Sequence, residues 1–137
     1  MKSERVKLLY VRFCYRLGAV LDALLAFGLA RYVVCGKLIY VGYPPATSET
    51  TFMARQAIPL LMGWTFLLIW GDRKPVERRP ILLLTALPVV WVGVLFDAFL
   101  LIRGNTISSL ANSWPPFVVA VLFTVAYVVS GSLDPTA

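Results

Sequence analysis

Four apolar stretches, each close to the length that a bilayer demands, constrain this chain more than any other feature of its sequence. They cover residues 17–34, 57–70, 81–102 and 116–130, and the first alternatively continues to Tyr43. A helix needs about 20 residues to cross a hydrocarbon core of roughly 30 Å. Because lipid offers backbone groups no hydrogen-bond partner, each stretch is predicted to form an α-helix.

The composition excludes a soluble protein and a disordered one. Hydrophobic residues make up 59% of the 137 residues and charged residues 15%, against roughly 45–50% and about 25% in soluble domains. A soluble body of this size cannot bury so much apolar surface. The chain has room for one domain, residues 1–137. We predict an all-α fold, a polytopic four-helix bundle in a membrane.

The basic residues are distributed in the way that orients membrane helices. The chain has 13 lysine and arginine residues against 7 acidic ones. Nine of the basic residues lie in two segments, before the first stretch and between the second and third: Lys2, Arg5, Lys7, Arg12, Arg16, Arg73, Lys74, Arg78 and Arg79. Since cytoplasmic segments are enriched in basic residues, both termini and loop 72–80 are predicted to be cytoplasmic. Loops 43–55 and 103–115 are then outside.

A cleaved signal peptide is the alternative interpretation of the first stretch, because a basic segment precedes an apolar one. Asp22 interrupts the apolar run, and the basic segment is long for a signal peptide. We therefore expect the first stretch to be retained as a membrane helix.

The residue types exclude most catalytic chemistry. The chain has no histidine and two cysteines, Cys14 and Cys35, so haem–histidine ligation, His/Cys zinc sites and a Ser-His-Asp triad are ruled out. No glycine-rich phosphate loop or nucleophile elbow is found in the sequence. We predict that the protein is not an enzyme and has no cofactor and no metal. No basic stripe with interleaved aromatic residues is present either, so no nucleic-acid partner is expected.

Three charged residues within the apolar stretches are the candidate site: Asp22, Arg31 and Asp97. A charge in a bilayer costs a few kcal/mol, so such residues need partners and are often functional. Asp22 lies toward the inner end of the first span and Asp97 toward the outer end of the third, so they cannot form a carboxylate pair. Thr65 and Thr85, at a depth similar to that of Asp22, are predicted to support it as hydrogen-bond donors.

Arg31 and Asp97 lie at similar estimated depths, which predicts an ion pair between the first and third helices. Two alternatives stay open. Arg31 can instead extend to the outer head groups, and Asp97 can pair with Arg55 or Arg103.

The loop 72–80 contains four basic residues, Arg73, Lys74, Arg78 and Arg79. They either fix the orientation of the chain or bind anionic lipid head groups, to which each contributes about 1 kcal/mol. Asp72 and Glu77 are expected to neutralise neighbouring cations.

Two prolines, Pro59 and Pro88, fall inside the second and third stretches. Each removes a backbone hydrogen bond and is expected to bend its helix, either as a hinge or as an ordinary kink.

Two segments carry a resemblance to known proteins. One is GWTFLLIWGDRKPVERR, residues 63–79, with the apolar run 81–84 and Thr85 after it; the other is RLGAVLDAL, residues 16–24. They resemble a group of small, uncharacterised four-helix bacterial membrane proteins. The resemblance implies four spans, a helix–loop–helix hairpin and a bacterial inner membrane, and it implies no activity.

In length and number of spans the chain is also similar to the small multidrug resistance transporters, which carry a glutamate in their first helix. The acid here is Asp22, and the residues around it do not follow that family's pattern. This likeness is one of size and architecture alone.

Two functional hypotheses follow. The first is a non-enzymatic inner-membrane protein that acts as an oligomer, or as a subunit or accessory of a membrane assembly, with the lipid bilayer and other membrane chains as its partners. The second is a small oligomeric transporter or channel in which Asp22 exchanges a proton or binds a cation.

Overall fold

The chain is helical throughout the part that the structure describes. The computed structural model describes residues 2–36, 46–104 and 110–133, of which 88% are helical and none is in a strand. Four helices are formed: α1 (Lys2–Cys35), α2 (Ser48–Asp72), α3 (Pro80–Ile102) and α4 (Leu110–Gly131). Each is long and apolar enough to cross a membrane. The prediction of an all-helical chain with four apolar helices is confirmed.

Several helices begin well before the apolar stretches that they contain. With 34 residues, α1 is about 50 Å long at 1.5 Å per residue, more than a hydrocarbon core of about 30 Å. Its N-terminal turns therefore hold the basic segment that precedes the first stretch. The start of α2 is fixed by a reciprocal cap, in which the Thr47 amide donates to Thr50 Oγ1 (2.9 Å) and the Thr50 amide to Thr47 Oγ1 (3.2 Å).

The contacts within the chain define two compact units. The three-helix unit comprises residues 1–15 and 71–137, and so combines the N-terminal turns of α1 with α3 and α4. The hairpin unit comprises residues 16–70, which are the rest of α1 and nearly all of α2.

The core of the three-helix unit is built mainly from small residues on α4 and larger ones that pack against them. Its fully buried side chains include Val11, Cys14, Tyr15, Leu82, Ala120, Phe123 and Ala126. On α4 these recur at intervals of three residues, which places them on one face of the helix. The hydroxyl of Tyr10 donates to the Leu122 carbonyl at 3.0 Å, which joins α1 to the middle of α4.

The buried residues of the hairpin unit come from both of its helices. Its buried residues include Ala19, Ala26 and Tyr32 on α1 and Ala54, Thr65 and Leu68 on α2. The Tyr32 hydroxyl donates to Thr50 Oγ1 at 2.9 Å. This bond fastens the end of α1 to the cap of α2, and it sets the register of the two helices.

The closest packing in the three-helix unit is between Tyr15 and Gly71. A Cβ atom at Gly71 would lie 2.9 Å from Tyr15 Cδ1 and 3.1 Å from Tyr15 Cζ, distances that real Cβ atoms do not tolerate. The ring is fully buried, and its hydroxyl donates to the Arg78 carbonyl at 2.8 Å. The ring is therefore held in the space that a side chain at position 71 would need.

The two prolines predicted to bend their helices lie in different local structures. Pro59 lies within a continuous α-helix, whereas Pro88 lies within a π-helical segment of α3, Thr85–Trp91. A proline lacks the amide proton and its ring collides with the carbonyl four residues earlier. A widened turn with bonds from i to i+5 relieves that collision. The segment ends with a bond from the Val92 amide to the Leu87 carbonyl.

The Gly71→Ala variant tests the packing of Tyr15. We expect it to be less stable than the wild type by about 1–3 kcal/mol, because an added methyl group overpacks a site that cannot yield. Gly63→Ala is the matched control in the same helix, since a Cβ at position 63 meets no atom within 4 Å among the described residues. Thermal unfolding in detergent measures both, and equal midpoints for the two variants would contradict the packing described.

Candidate functional site

Asp22 lies on the small-residue face of α1 in the hairpin unit. Its side chain is half-buried, and Gly18 and Ala26, one helical turn to either side, are buried. The carboxylate forms no hydrogen bond or ion pair with any side chain in the described ranges. A half-buried acid in this position is available to a proton, a cation or a group on another chain.

The two threonines predicted to support Asp22 bond to their own helices. Thr65 Oγ1 donates to the Leu61 carbonyl at 2.9 Å, and Thr85 Oγ1 donates to the Ile81 carbonyl at 2.8 Å. Buried threonines in apolar helices often satisfy the hydroxyl in this way. Thr65 shares the hairpin unit with Asp22, while Thr85 belongs to the three-helix unit. Support of Asp22 by either threonine stays a prediction.

Arg31 and Asp97 lie near the ends of their helices. Arg31 is exposed, four residues before the end of α1, and Asp97 is half-buried, five residues before the end of α3. They belong to different units, and their pairing stays a prediction. Of the alternative partners of Asp97, Arg55 is exposed, and the Arg103 guanidinium lies 4.9 Å from the centre of the Phe99 ring.

Within the loop between α2 and α3, an acid neutralises a base as expected. Lys74 Nζ lies 2.7 Å from a carboxylate oxygen of Glu77. The hydrogen bond and the positive charge of Lys74 lower the pKa of Glu77. Both side chains are more than half exposed, so the pair contributes little to stability. Arg73 is exposed in the same loop.

Two further cations reach the C-terminal end of α4. Lys7 Nζ donates to Ser132 Oγ at 3.1 Å, and Ser132 Oγ donates in turn to the Val129 carbonyl at 2.8 Å. The guanidinium of Arg79 lies 5.9 Å from the centre of the Tyr127 ring. A Cβ at Gly131 would lie 2.7 Å from Arg79 Nη1, so the guanidinium occupies that space.

We name these five residues the α4-end cluster: Lys7, Arg79, Tyr127, Gly131 and Ser132. The sequence singles out Arg79 as one of the basic residues of loop 72–80. It contains no pattern that predicts a contact between Lys7 and Ser132, which are 125 residues apart. A lysine and an arginine at a helix C-terminus interact favourably with the partial negative charge of that end.

One cation on α1 is incompletely bonded. The Nε atom of Arg12 is buried and has no hydrogen-bond partner in the described part of the chain. An unpaired buried donor costs about 1–3 kcal/mol, which sets Arg12 apart from the exposed Arg5 and Arg16.

No metal site is formed within residues 2–36, 46–104 and 110–133, where no three histidine, cysteine or acidic residues come together. Cys14 is buried and Cys35 exposed, and both are free thiols.

A scan against protein-family models finds no match, and comparisons with curated proteins and with solved structures find none either.

The Tyr15→Phe variant tests the anchor between α1 and the basic loop. It deletes the hydroxyl that donates to the Arg78 carbonyl, and we expect a loss of about 1 kcal/mol in the free energy of unfolding. Tyr127→Phe is the matched control, because its ring stays beneath Arg79 and its hydroxyl makes no hydrogen bond within the described residues. Unfolding in detergent should separate the two variants, and equal losses would argue against the anchor.

Proposed function

We propose that this chain is a four-span protein of the bacterial inner membrane, without enzymatic activity, that acts as an oligomer or as a subunit or accessory of a membrane assembly. The observation that carries the proposal is the apolar surface left uncovered on all four helices. Within an apolar stretch of 18 residues in each helix, between 17% and 28% of the residues are buried inside the protein.

The uncovered surface consists of large side chains. Those at least half exposed include Phe27, Phe66, Phe96 and Ile102, one or two from each of three helices. Lipid tails or the helices of another chain are the surroundings that cover such surfaces. Contacts with lipid and with other membrane chains therefore account for more of each span than contacts within the chain do.

The contacts at the end of α4 support a common side for the two termini. Lys7 near the N-terminus reaches Ser132, and Arg79 in the loop reaches Gly131. Because this place is rich in basic residues, the proposal assigns it to the cytoplasm. The resemblance of residues 16–24 and 63–79 to four-helix bacterial membrane proteins favours the same setting.

A proton-coupled transporter or channel is the second candidate function, and Asp22 is the residue that favours it. The acid is half-buried on a small-residue face, where a second helix can approach closely. In the part of the chain that the structure describes, its carboxylate is bonded to no other side chain. Membrane-embedded acids of this kind relay protons in pumps and transporters.

Labelling of single cysteines tests the proposed orientation. Cysteines are placed at Ser3, Ser48 and Pro135 in a background that lacks Cys14 and Cys35. We expect an impermeant maleimide to label position 48 in intact cells and positions 3 and 135 only after the membrane is opened. Labelling of positions 3 and 135 in intact cells, with position 48 protected, would overturn the orientation.

Proton flux in proteoliposomes separates the two candidate functions. If the chain is an assembly subunit, flux driven by a pH gradient should equal that of empty liposomes, and native mass spectrometry from mild detergent should show an oligomer or a bound partner. If it is a transporter, flux should exceed that of empty liposomes and be lost in Asp22→Asn. Glu77→Gln is the control, because Glu77 is an exposed acid in the loop outside the spans, and it should leave such flux in place.

A further inference from the structure

We propose that the α4-end cluster binds the phosphate group of an anionic phospholipid at the cytoplasmic surface. The inference rests on the proposed function, since it needs α3 and α4 to cross the bilayer. It assigns a specific site to Lys7 and Arg79, rather than a diffuse attraction to the basic loop as a whole.

The first support is an excess of positive charge at one place. Residues 2–15 and 72–79 carry eight basic and three acidic side chains, and Glu77 is already held by Lys74. A helix C-terminus supplies about half a unit of negative charge. That is less than the two unit charges that Lys7 and Arg79 bring to it, so the cluster retains a net positive charge that favours an anion.

The second support is the depth of the cluster. Gly131 is the last residue of the span Trp114–Gly131, and Arg79 immediately precedes the span Pro80–Ile102. Both cations therefore lie just beyond the hydrocarbon core, at the level where lipid phosphates lie. Tyrosine is common at the same level, because its ring is apolar and its hydroxyl polar.

The third support is the arrangement of the donors. Lys7 uses one of its three protons on Ser132, which leaves two for an anion. Arg79 is exposed, and its guanidinium is held between the Tyr127 ring and Gly131. A guanidinium held in place presents a planar pair of donors that matches two phosphate oxygens.

The test measures lipid retained by the full chain in detergent, by native mass spectrometry with added phosphatidylglycerol or phosphatidylcholine. We expect the wild type to retain phosphatidylglycerol selectively. Lys7→Gln and Arg79→Gln should each weaken retention about fivefold, the equivalent of about 1 kcal/mol for each basic residue. Arg5→Gln removes the same charge from an exposed position outside the cluster and should leave retention unchanged. Equal weakening in all three variants would show diffuse attraction and overturn the site.

A charge-conserving variant tests the geometry itself. Arg79→Lys keeps the positive charge but removes the planar pair of donors, so retention should fall although no charge is lost. Arg5→Lys is its control, because it makes the same exchange at an exposed position outside the cluster. Unchanged retention in Arg79→Lys, with helix content equal to that of the wild type, would overturn the assignment of Arg79.

Two further arms identify the source of the anion. Inorganic phosphate should not displace phosphatidylglycerol; displacement at equal concentration would indicate a site for the free ion and overturn the lipid assignment. Asp134 lies outside the described residues, close in sequence to Ser132, and Asp134→Asn should not change retention. An increase would show that the tail itself fills the site.

The labelling of positions 3, 48 and 135 distinguishes the two proposals. If the orientation is as proposed and selective retention is absent, the lipid site alone fails. If the orientation is reversed, the labelling contradicts the proposed function itself, independently of any result on lipid.

Discussion

Hydrogen bonding of the backbone to itself is the constraint on which the rest of this structure depends. Inside a hydrocarbon layer an amide or carbonyl group without a partner costs several kcal/mol. In the proposed membrane setting, each of the four long apolar stretches therefore has to form a helix, whatever its side chains. The same constraint explains the π-helical segment at Pro88, where the helical turn is wider but its end remains hydrogen-bonded, from the Val92 amide to the Leu87 carbonyl.

Once the helices are formed, small residues decide how closely they approach. In the proposed membrane setting, burial of apolar area gives little advantage to contact between helices, so packing and a few hydrogen bonds hold them together. Gly71 admits the ring of Tyr15, and the small residues Ala120 and Ala126 are fully buried on the same face of α4 as Phe123. Hydroxyl groups of Tyr10, Tyr15 and Tyr32 then fix the register, each by a bond to another segment.

The sequence predicts the number and type of the elements because these follow from local composition. It also predicts that Glu77 neutralises a neighbouring cation, and Lys74, three residues before it, is that cation. It does not predict the start of α1 at Lys2, because a polar helix takes its stability from tertiary contacts. The approach of Lys7 to Ser132 is missed for a similar reason: it depends on how α1 packs against α4, which no local pattern encodes.

The sequence likewise predicts some features of the candidate site and misses others. Asp22, Arg31 and Asp97 are conspicuous in the sequence because a charge in an apolar stretch is rare. The prediction for Thr65 and Thr85 rests on their depth. Depth does not decide whether a hydroxyl bonds to a neighbouring helix or to the carbonyl one turn back, to which both hydroxyls donate.

The π-helical segment of α3 also bears on how the sequence can change over time. A π-helical turn holds one residue more than an α-helical turn. An inserted residue in a regular helix turns all later side chains by about 100° around the helix axis, whereas a wider turn accommodates that residue and leaves the later side chains on their original faces. Loss of Pro88 itself would remove both the extra residue and the ring that favours the wide turn, and so return α3 to a regular helix with the relative alignment of Leu82 and Asp97 preserved. The length of α3 is therefore less strictly fixed in this segment than that of α4, where the buried residues follow one uninterrupted α-helical spacing.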